Sequence, residues 1–161
     1  KNYRIALLGC GRIAERHAKL LSNNEIENTE LVAVCDINKD RAEKFGNEFS
    51  VNHYEDLHKM MANERIDIVS ILTDSGSHFD NVMELVTYGV DMIVEKPLAL
   101  RLDHVDQMIQ VCERKNVKLF VLHIYSSLVL GKSMRVLNLN PNFRSRVFSF
   151  LSPISKSVLL L

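Results

Sequence analysis

The chain has 161 residues, room for one domain of ordinary size, and 47% hydrophobic with 25% charged residues is the composition of a globular protein. Its 20 basic residues balance its 20 acidic ones, and the basic residues are too scattered to argue for nucleic-acid binding. No run of 18 or more apolar residues occurs, so no membrane span is expected. Lys1-Asn2-Tyr3 leads directly into a strand without a signal-peptide pattern. Cys10, Cys35 and Cys112 are three cysteines in apolar or helical surroundings, without metal-ligand spacing. The expectation is a cytoplasmic protein with reduced thiols and no metal.

Residues 3–9 read as a buried strand that ends in Gly9-Cys10-Gly11-Arg12-Ile13-Ala14, and residues 12–23 have helical spacing. Each part of this turn suits a dinucleotide. Gly9 lets the chain leave the strand sharply, Gly11 lets a diphosphate approach the backbone, and Ala14 lets the helix pack close. The helix N-terminus then offers free N–H groups and a positive dipole to the phosphates. A second apolar run, 30–36, ends in Asp36, 22 residues beyond Ala14. A carboxylate about 20 residues on is placed to accept from the adenosine ribose hydroxyls. The alternative for Asp36 is a helix N-cap or turn acid. An acid followed by apolar Ile37 favours NAD over NADP. Arg41 either opens the helix 40–49 and covers the adenine, or reaches a 2′-phosphate.

Further along, 51–54 is a short strand candidate and 56–61 a short helix. Residues 66–72 read as a buried strand, 78–88 as a helix capped by Gly89, and 90–94 as a strand. Residues 102–115 read as a helix with Leu102, Val105, Ile109 and Cys112 on its buried face, and 117–122 as the last clear strand. Alternating strands and helices predict an α/β fold, a doubly wound and mostly parallel sheet with right-handed crossovers. Its ligand belongs at the carboxyl ends of the strands, where the glycine turn, Asp36, the loop 73–78 and Glu95-Lys96-Pro97 all emerge. Lys96 there is either a proton-handling group beside a nicotinamide or a surface lysine paired with Glu95. The isomer of the Lys96–Pro97 bond stays open.

These motifs together resemble the nucleotide-binding half of the Gfo/Idh/MocA oxidoreductases over about residues 3–121. Those that carry the resemblance are Leu7 to Ala14, Val32 to Asp36, Thr73 with Ser75 and His78, and Val94-Glu95-Lys96-Pro97-Leu98. Within the family the chain looks most like the UDP-N-acetylglucosaminuronate 3-dehydrogenases of surface-polysaccharide synthesis. The resemblance implies a Rossmann fold, NAD as cofactor, Lys96 as the catalytic lysine, and a sugar or nucleotide sugar as substrate, oxidised by hydride transfer. It implies cofactor contacts from Gly9, Gly11, Arg12, Ile13, Asp36, Ile37, Arg41, Leu72, Thr73, Ser75, His78, Glu95, Lys96 and Pro97. His78 stands near the nicotinamide ribose in this picture, or else caps the helix that follows. His17 matches a common family position and is read as structural. The family usually has Pro where Asp74 stands, which implies a looser loop here.

The net charge of zero hides an asymmetry. Residues 1–121 hold 15 Lys+Arg against all 20 acids, a net of −5, whereas residues 122–161 hold 5 Lys+Arg and no acid, a net of +5. The expected division is a dinucleotide-binding domain, 1–121, and an atypical basic segment, 122–161. The family's substrate domain is then largely missing, with its Arg-Phe pair and partner His. Phe143-Arg144 runs in reverse order and takes no role. Residues 122–161 are either an altered, truncated C-terminus or a small extension that packs on the sheet or pairs with another chain. Val147 to Leu151 is a candidate added strand, and Leu159 to Leu161 an apolar end. Function follows the same fork: an NAD-dependent sugar dehydrogenase, or an NAD(H)-binding module or inactive fragment without its substrate half. A homo-oligomer is a candidate assembly.

Overall fold

Five strand–helix–strand crossovers build the sheet, and their chain order explains where a ligand would lie. The computed structural model describes residues 2–126 and 132–138. The elements run β1 (Tyr3–Leu8), α1 (Arg12–Ser22), β2 (Thr29–Cys35), α2 (Lys39–Phe49), β3 (Asn52–Tyr54) and α3 (Leu57–Asn63). They continue as β4 (Ile68–Ile71), α4 (His78–Leu85) with a 3₁₀ turn at Val86–Tyr88, β5 (Asp91–Glu95), α5 (Leu102–Arg114), β6 (Leu119–Ser126) and β7 (Lys132–Asn138). The sheet order is β3-β2-β1-β4-β5-β6-β7. The first six strands pair in parallel, and β7 adds antiparallel to β6. Strand order reverses between β1 and β4, which makes the carboxyl edge beside them the topological switch point.

Strands with apolar side chains on both faces need cover on both faces. In β1, Ala6 and Leu8 enter one core, with Met60 of α3, Val82 and Leu85 of α4, and Met108 and Cys112 of α5. Ile5 and Leu7 point the other way, to Ala14, Ala18 and Leu21 of α1 and Phe45 of α2. The period of two along the strand thus sorts the helices into two layers. Asn38 caps α2 by accepting from the Arg41 N–H at 3.0 Å, and Gly89, at φ 71°, ends the turn after α4.

Three expectations change. Leu102 is 83% exposed rather than buried, because α5 turns Val105, Met108 and Cys112 inward. The helix expected over 78–88 finishes as a 3₁₀ turn, so α4 proper ends at Leu85. Strand β6 runs to Ser126, past the compositional boundary near Val121, and is sandwiched between β5 and β7. The seven residues of β7 fall inside the segment 122–161 and carry no strong apolar run, so the sequence pattern alone passed them by. The candidate strand 147–151 and the apolar end 159–161 lie outside the described residues.

Candidate functional site

The site begins where β1 ends. Gly9 has φ 98°, and its N–H donates to the Cys35 carbonyl at 2.7 Å. A Cβ added there would come within 2.8 Å of the Leu72 carbonyl carbon. Glycine is therefore required by the protein itself, where the loop passes over the end of β4. Gly11 differs. It has ordinary backbone angles, φ −82° and ψ −172°, and an added Cβ would meet nothing within 4 Å. It caps α1 without a side chain, so the first N–H groups of that helix keep their donors for an external acceptor. Arg12 is exposed and Ile13 half-buried at this helix start, and Ala14 is fully buried beneath it.

Asp36 stands one residue beyond β2 and is buried. Its Oδ2 accepts the Cys10 N–H at 2.8 Å, and Oδ1 accepts the Asn38 N–H at 2.8 Å. The carboxylate thus ties the glycine loop to the end of β2. It forms a turn with Asn38, but the cap of α2 is Asn38. Arg41, third in α2, holds its guanidinium 3.8 Å from the same Oδ2. Ile37 is 94% exposed beside it, an apolar surface at the crevice rim.

The β4–α4 loop supplies the opposite wall. Leu72 is buried, and its N–H donates to the Leu8 carbonyl at 2.7 Å. The Thr73 hydroxyl accepts from Asn81 Nδ2 at 2.8 Å, and Ser75 is half-buried. Asp74 does not loosen this loop. Its Oδ1 accepts the N–H groups of Gly76 and Ser77 at 3.0 and 3.2 Å, and its Oδ2 accepts the Ser77 hydroxyl at 2.7 Å. The Ser77 hydroxyl bond holds the Asp74 carboxyl below its ordinary range. His78 turns inward at 1% exposure. Its Nδ1 lies 2.8 Å from the Pro97 carbonyl oxygen and its Nε2 3.1 Å from that of Thr73. It does not cap α4 but clamps the loop to the corner after β5.

At that corner Glu95 is buried, Lys96 and Pro97 are exposed, and the peptide between them is cis. Glu95 Oε2 accepts the N–H of Lys96 at 3.0 Å, and its Oε1 faces His17 Nε2 at 3.5 Å. Burial pushes the Glu95 carboxyl up, but His17, the Lys96 N–H and the Lys96 charge together hold it below its ordinary value. The Lys96 side chain forms no ion pair with Glu95 or any other acid among the described residues. The three cysteines are buried free thiols. Burial, with the Asp36 charge second, pushes those of Cys10 and Cys35 up to about 12, so neither is a nucleophile at neutral pH. Among the described residues no cluster of three or more His, Cys, Asp or Glu could hold a metal, and no helix is long and apolar enough to cross a membrane.

A family model for oxidoreductases with an NAD-binding Rossmann fold, Gfo/Idh/MocA, matches residues 3–123. The chain belongs to this family. D-apiose dehydrogenase of Paraburkholderia graminis is 35% identical over 122 residues, which cover 75% of this chain and 32% of that protein. Among solved structures, the WlbA dehydrogenase of Bordetella pertussis, in complex with NADH and UDP-GlcNAcA, matches with a TM-score of 0.71 at 29% identity, over 75% of this chain and 37% of that one. The scyllo-inositol dehydrogenase of Lactobacillus casei, with NAD(H) and scyllo-inositol, matches at TM-score 0.69 and 25% identity, over 75% and 36%. The chain therefore spans about a third of the length of these relatives. What it contains is the family's NAD-binding Rossmann domain, and NAD is its cofactor. The residues present fit that group: an uncapped helix N-terminus, open space over Gly11, and a carboxylate at the end of β2.

Sequence reasoning named most of the residues that meet at this edge. It missed Asn81, the bracing by Asp74, and the partner of His17. For His17 a signal existed. It shares the stripe Ala14, His17, Ala18, Leu21 on the buried face of α1, and a polar ring in such a stripe needs a partner.

Proposed function

We propose that this chain is the cofactor-binding part of an NAD-dependent dehydrogenase that oxidises a secondary hydroxyl of a sugar or polyol. A nucleotide-sugar uronate oxidised at C3 is the preferred substrate class. The observation that carries the reading is Lys96, exposed and without an acid partner, at the carboxyl end of β5 next to the switch point. NAD supplies the hydride acceptor when bound. The glycine loop and the start of α1 hold its diphosphate through backbone N–H groups, and Asp36 accepts from the adenosine ribose. A carboxylate at that position repels a 2′-phosphate, which favours NAD over NADP. Thr73, Ser75 and the rigid Glu95–Pro97 corner wall the nicotinamide end. In this reading Lys96 Nζ hydrogen-bonds the substrate hydroxyl and manages its proton.

The sugar-uronate preference draws on the structural likeness to a dehydrogenase crystallised with UDP-GlcNAcA. The likeness to inositol and apiose dehydrogenases makes a plain polyol or pentose the competing substrate. The test combines binding and turnover. NADH should raise the melting temperature of the chain, and Asp36→Ala should remove most of that rise. NADH formation is then followed with UDP-GlcNAcA, scyllo-inositol and D-apiose. NADH binding with no turnover on any of them would favour a cofactor-binding module over a self-sufficient enzyme; no NADH binding would end the proposal.

A further inference from the structure

We propose that His17 is a positioning residue for the lysine corner, tying the helix that receives the cofactor diphosphate to the backbone that carries Lys96 through the buried carboxylate of Glu95. The role given to Lys96 rests on the function proposed above; the tie itself rests on geometry alone. His17 occupies the one polar position of an otherwise small and apolar stripe, Ala14, Ala18 and Leu21, and is itself buried. Leucine would fill such a position without the cost of burying an imidazole. Its Nε2 and Glu95 Oε1 are both buried, and neither has another hydrogen-bond partner. They face each other at 3.5 Å, near enough for a slight closure to make the bond. The pair joins elements 78 residues apart in sequence, so it fixes tertiary placement rather than local conformation.

The other oxygen of Glu95 accepts the N–H of Lys96. Turning the carboxylate therefore turns the peptide plane from which the Lys96 side chain leaves. Beyond Lys96 the Pro97 carbonyl is held by His78. The corner is thus anchored on both sides, by α1 through Glu95 and by α4 through His78, while the lysine side chain between the anchors stays exposed. Helix α1 starts at the glycine loop, so contact with a diphosphate and the placement of Lys96 share one rigid body. The charges that bear on Glu95 are those of His17 from α1 and of Lys96. Both stand on the side of the carboxylate form.

The test compares His17→Leu, which fills the space without a donor, with His17→Gln, which keeps a terminal N–H donor. Two measurements need no cofactor: hydrogen exchange of the Lys96 amide, and the ¹³C titration of the Glu95 carboxyl. In His17→Leu the Lys96 amide should exchange at least about tenfold faster, as a local opening would produce. The Glu95 carboxyl should titrate higher than in the parent, since burial is then less opposed. His17→Gln should hold the exchange near the parent value and keep the Glu95 titration below that of His17→Leu. Should His17→Leu fail to fold, His17→Gln decides: parent-like exchange supports the tie. Exchange and titration unchanged in His17→Leu, or exchange as fast in His17→Gln as in His17→Leu, would overturn it. A parent chain that binds no NADH would overturn the proposed function while leaving these two readouts intact.

Discussion

Two glycines two positions apart in the same loop should respond oppositely to the same added methyl group. At Gly9 an alanine must hold φ near 98° and place its Cβ 2.8 Å from the Leu72 carbonyl carbon. The left-handed conformation costs an L-residue roughly 1–2 kcal/mol. Forcing a methyl against backbone adds about 1–3 kcal/mol, because the Leu72 backbone, held by its N–H to the Leu8 carbonyl, cannot give way as a flexible side chain would. We expect Gly9→Ala to lose about 3 kcal/mol, which for a chain of this size lowers the melting temperature by roughly 6–12 °C. At Gly11 the angles are ordinary and the space is open. Alanine there gains about 0.4–1 kcal/mol by restricting the unfolded chain. It gives back a few tenths of a kcal/mol or more as a poorer helix cap, so stability should change by less than about 0.5 kcal/mol.

Binding should reverse the ranking. The Gly11→Ala methyl stands where a diphosphate must approach the amides. Loss of one charge-assisted bond, about 1.5–3 kcal/mol, weakens NADH roughly ten- to hundredfold. Chemical denaturation gives the first quantity and calorimetric titration with NADH the second. A Gly11→Ala protein destabilised by more than about 1 kcal/mol would refute the claim that this glycine serves a ligand rather than packing. So would NADH affinity equal to that of the parent. A Gly9→Ala protein as stable as the parent would refute the steric account of the turn.

Other outcomes follow from the same contacts. Lys96→Met should lower turnover by about 10²–10⁴-fold in any assay that shows turnover, the range for a lost proton-handling group, with a much smaller change in NADH affinity. The Glu95 carboxyl sits below its ordinary 4.5 in the folded chain, so its contribution to stability is fully present above that value. That contribution disappears as pH falls through the lowered folded value; an acid-unfolding series should therefore show the parent and Glu95→Gln converging only below pH 4.5. Asp36→Ala deletes the acceptor for the Cys10 and Asn38 amides and should cost about 2 kcal/mol even without cofactor, measurable by denaturation. Asp74→Ala should speed hydrogen exchange at Gly76 and Ser77 with little change in melting temperature, since the acid is exposed and acts only on its own loop.

How much of this was legible in the sequence depends on how far apart the interacting groups lie. The strand runs, the glycine turn and the acid after β2 each carry their signal within a few residues. Their alternation implies parallel pairing, while the strand order itself is read from the structure. Leu102 misled because the spacing of an amphipathic stripe defines a face only to within a residue or so, and the first turn of α5 overhangs solvent. Strand β7 was missed because an outer antiparallel strand needs no apolar run. Asp74 stands where the family usually has proline, but its carboxylate orders the loop by accepting three hydrogen bonds, a role that residue type alone does not announce.

The contacts that turn a Rossmann fold into a site are the least local of all. Gly9 needs to be glycine because of Leu72, 63 residues later. Asp36 reaches back to Cys10, His78 forward to Pro97, and Glu95 back to His17. Each long-range partner is a backbone group or a buried polar atom, with no periodicity to betray it. The parallel crossovers supply the reason they meet. Each of the six parallel strands delivers its C-terminal residue to the same edge, so groups from the loops after β1, β2, β4 and β5 become neighbours whatever their separation in the chain. A sequence can therefore announce which loops will gather without revealing which of their atoms will bond. The His17–Glu95 pair is such a case: the buried stripe on α1 requires a partner for the imidazole, and only the sheet order brings Glu95 to it.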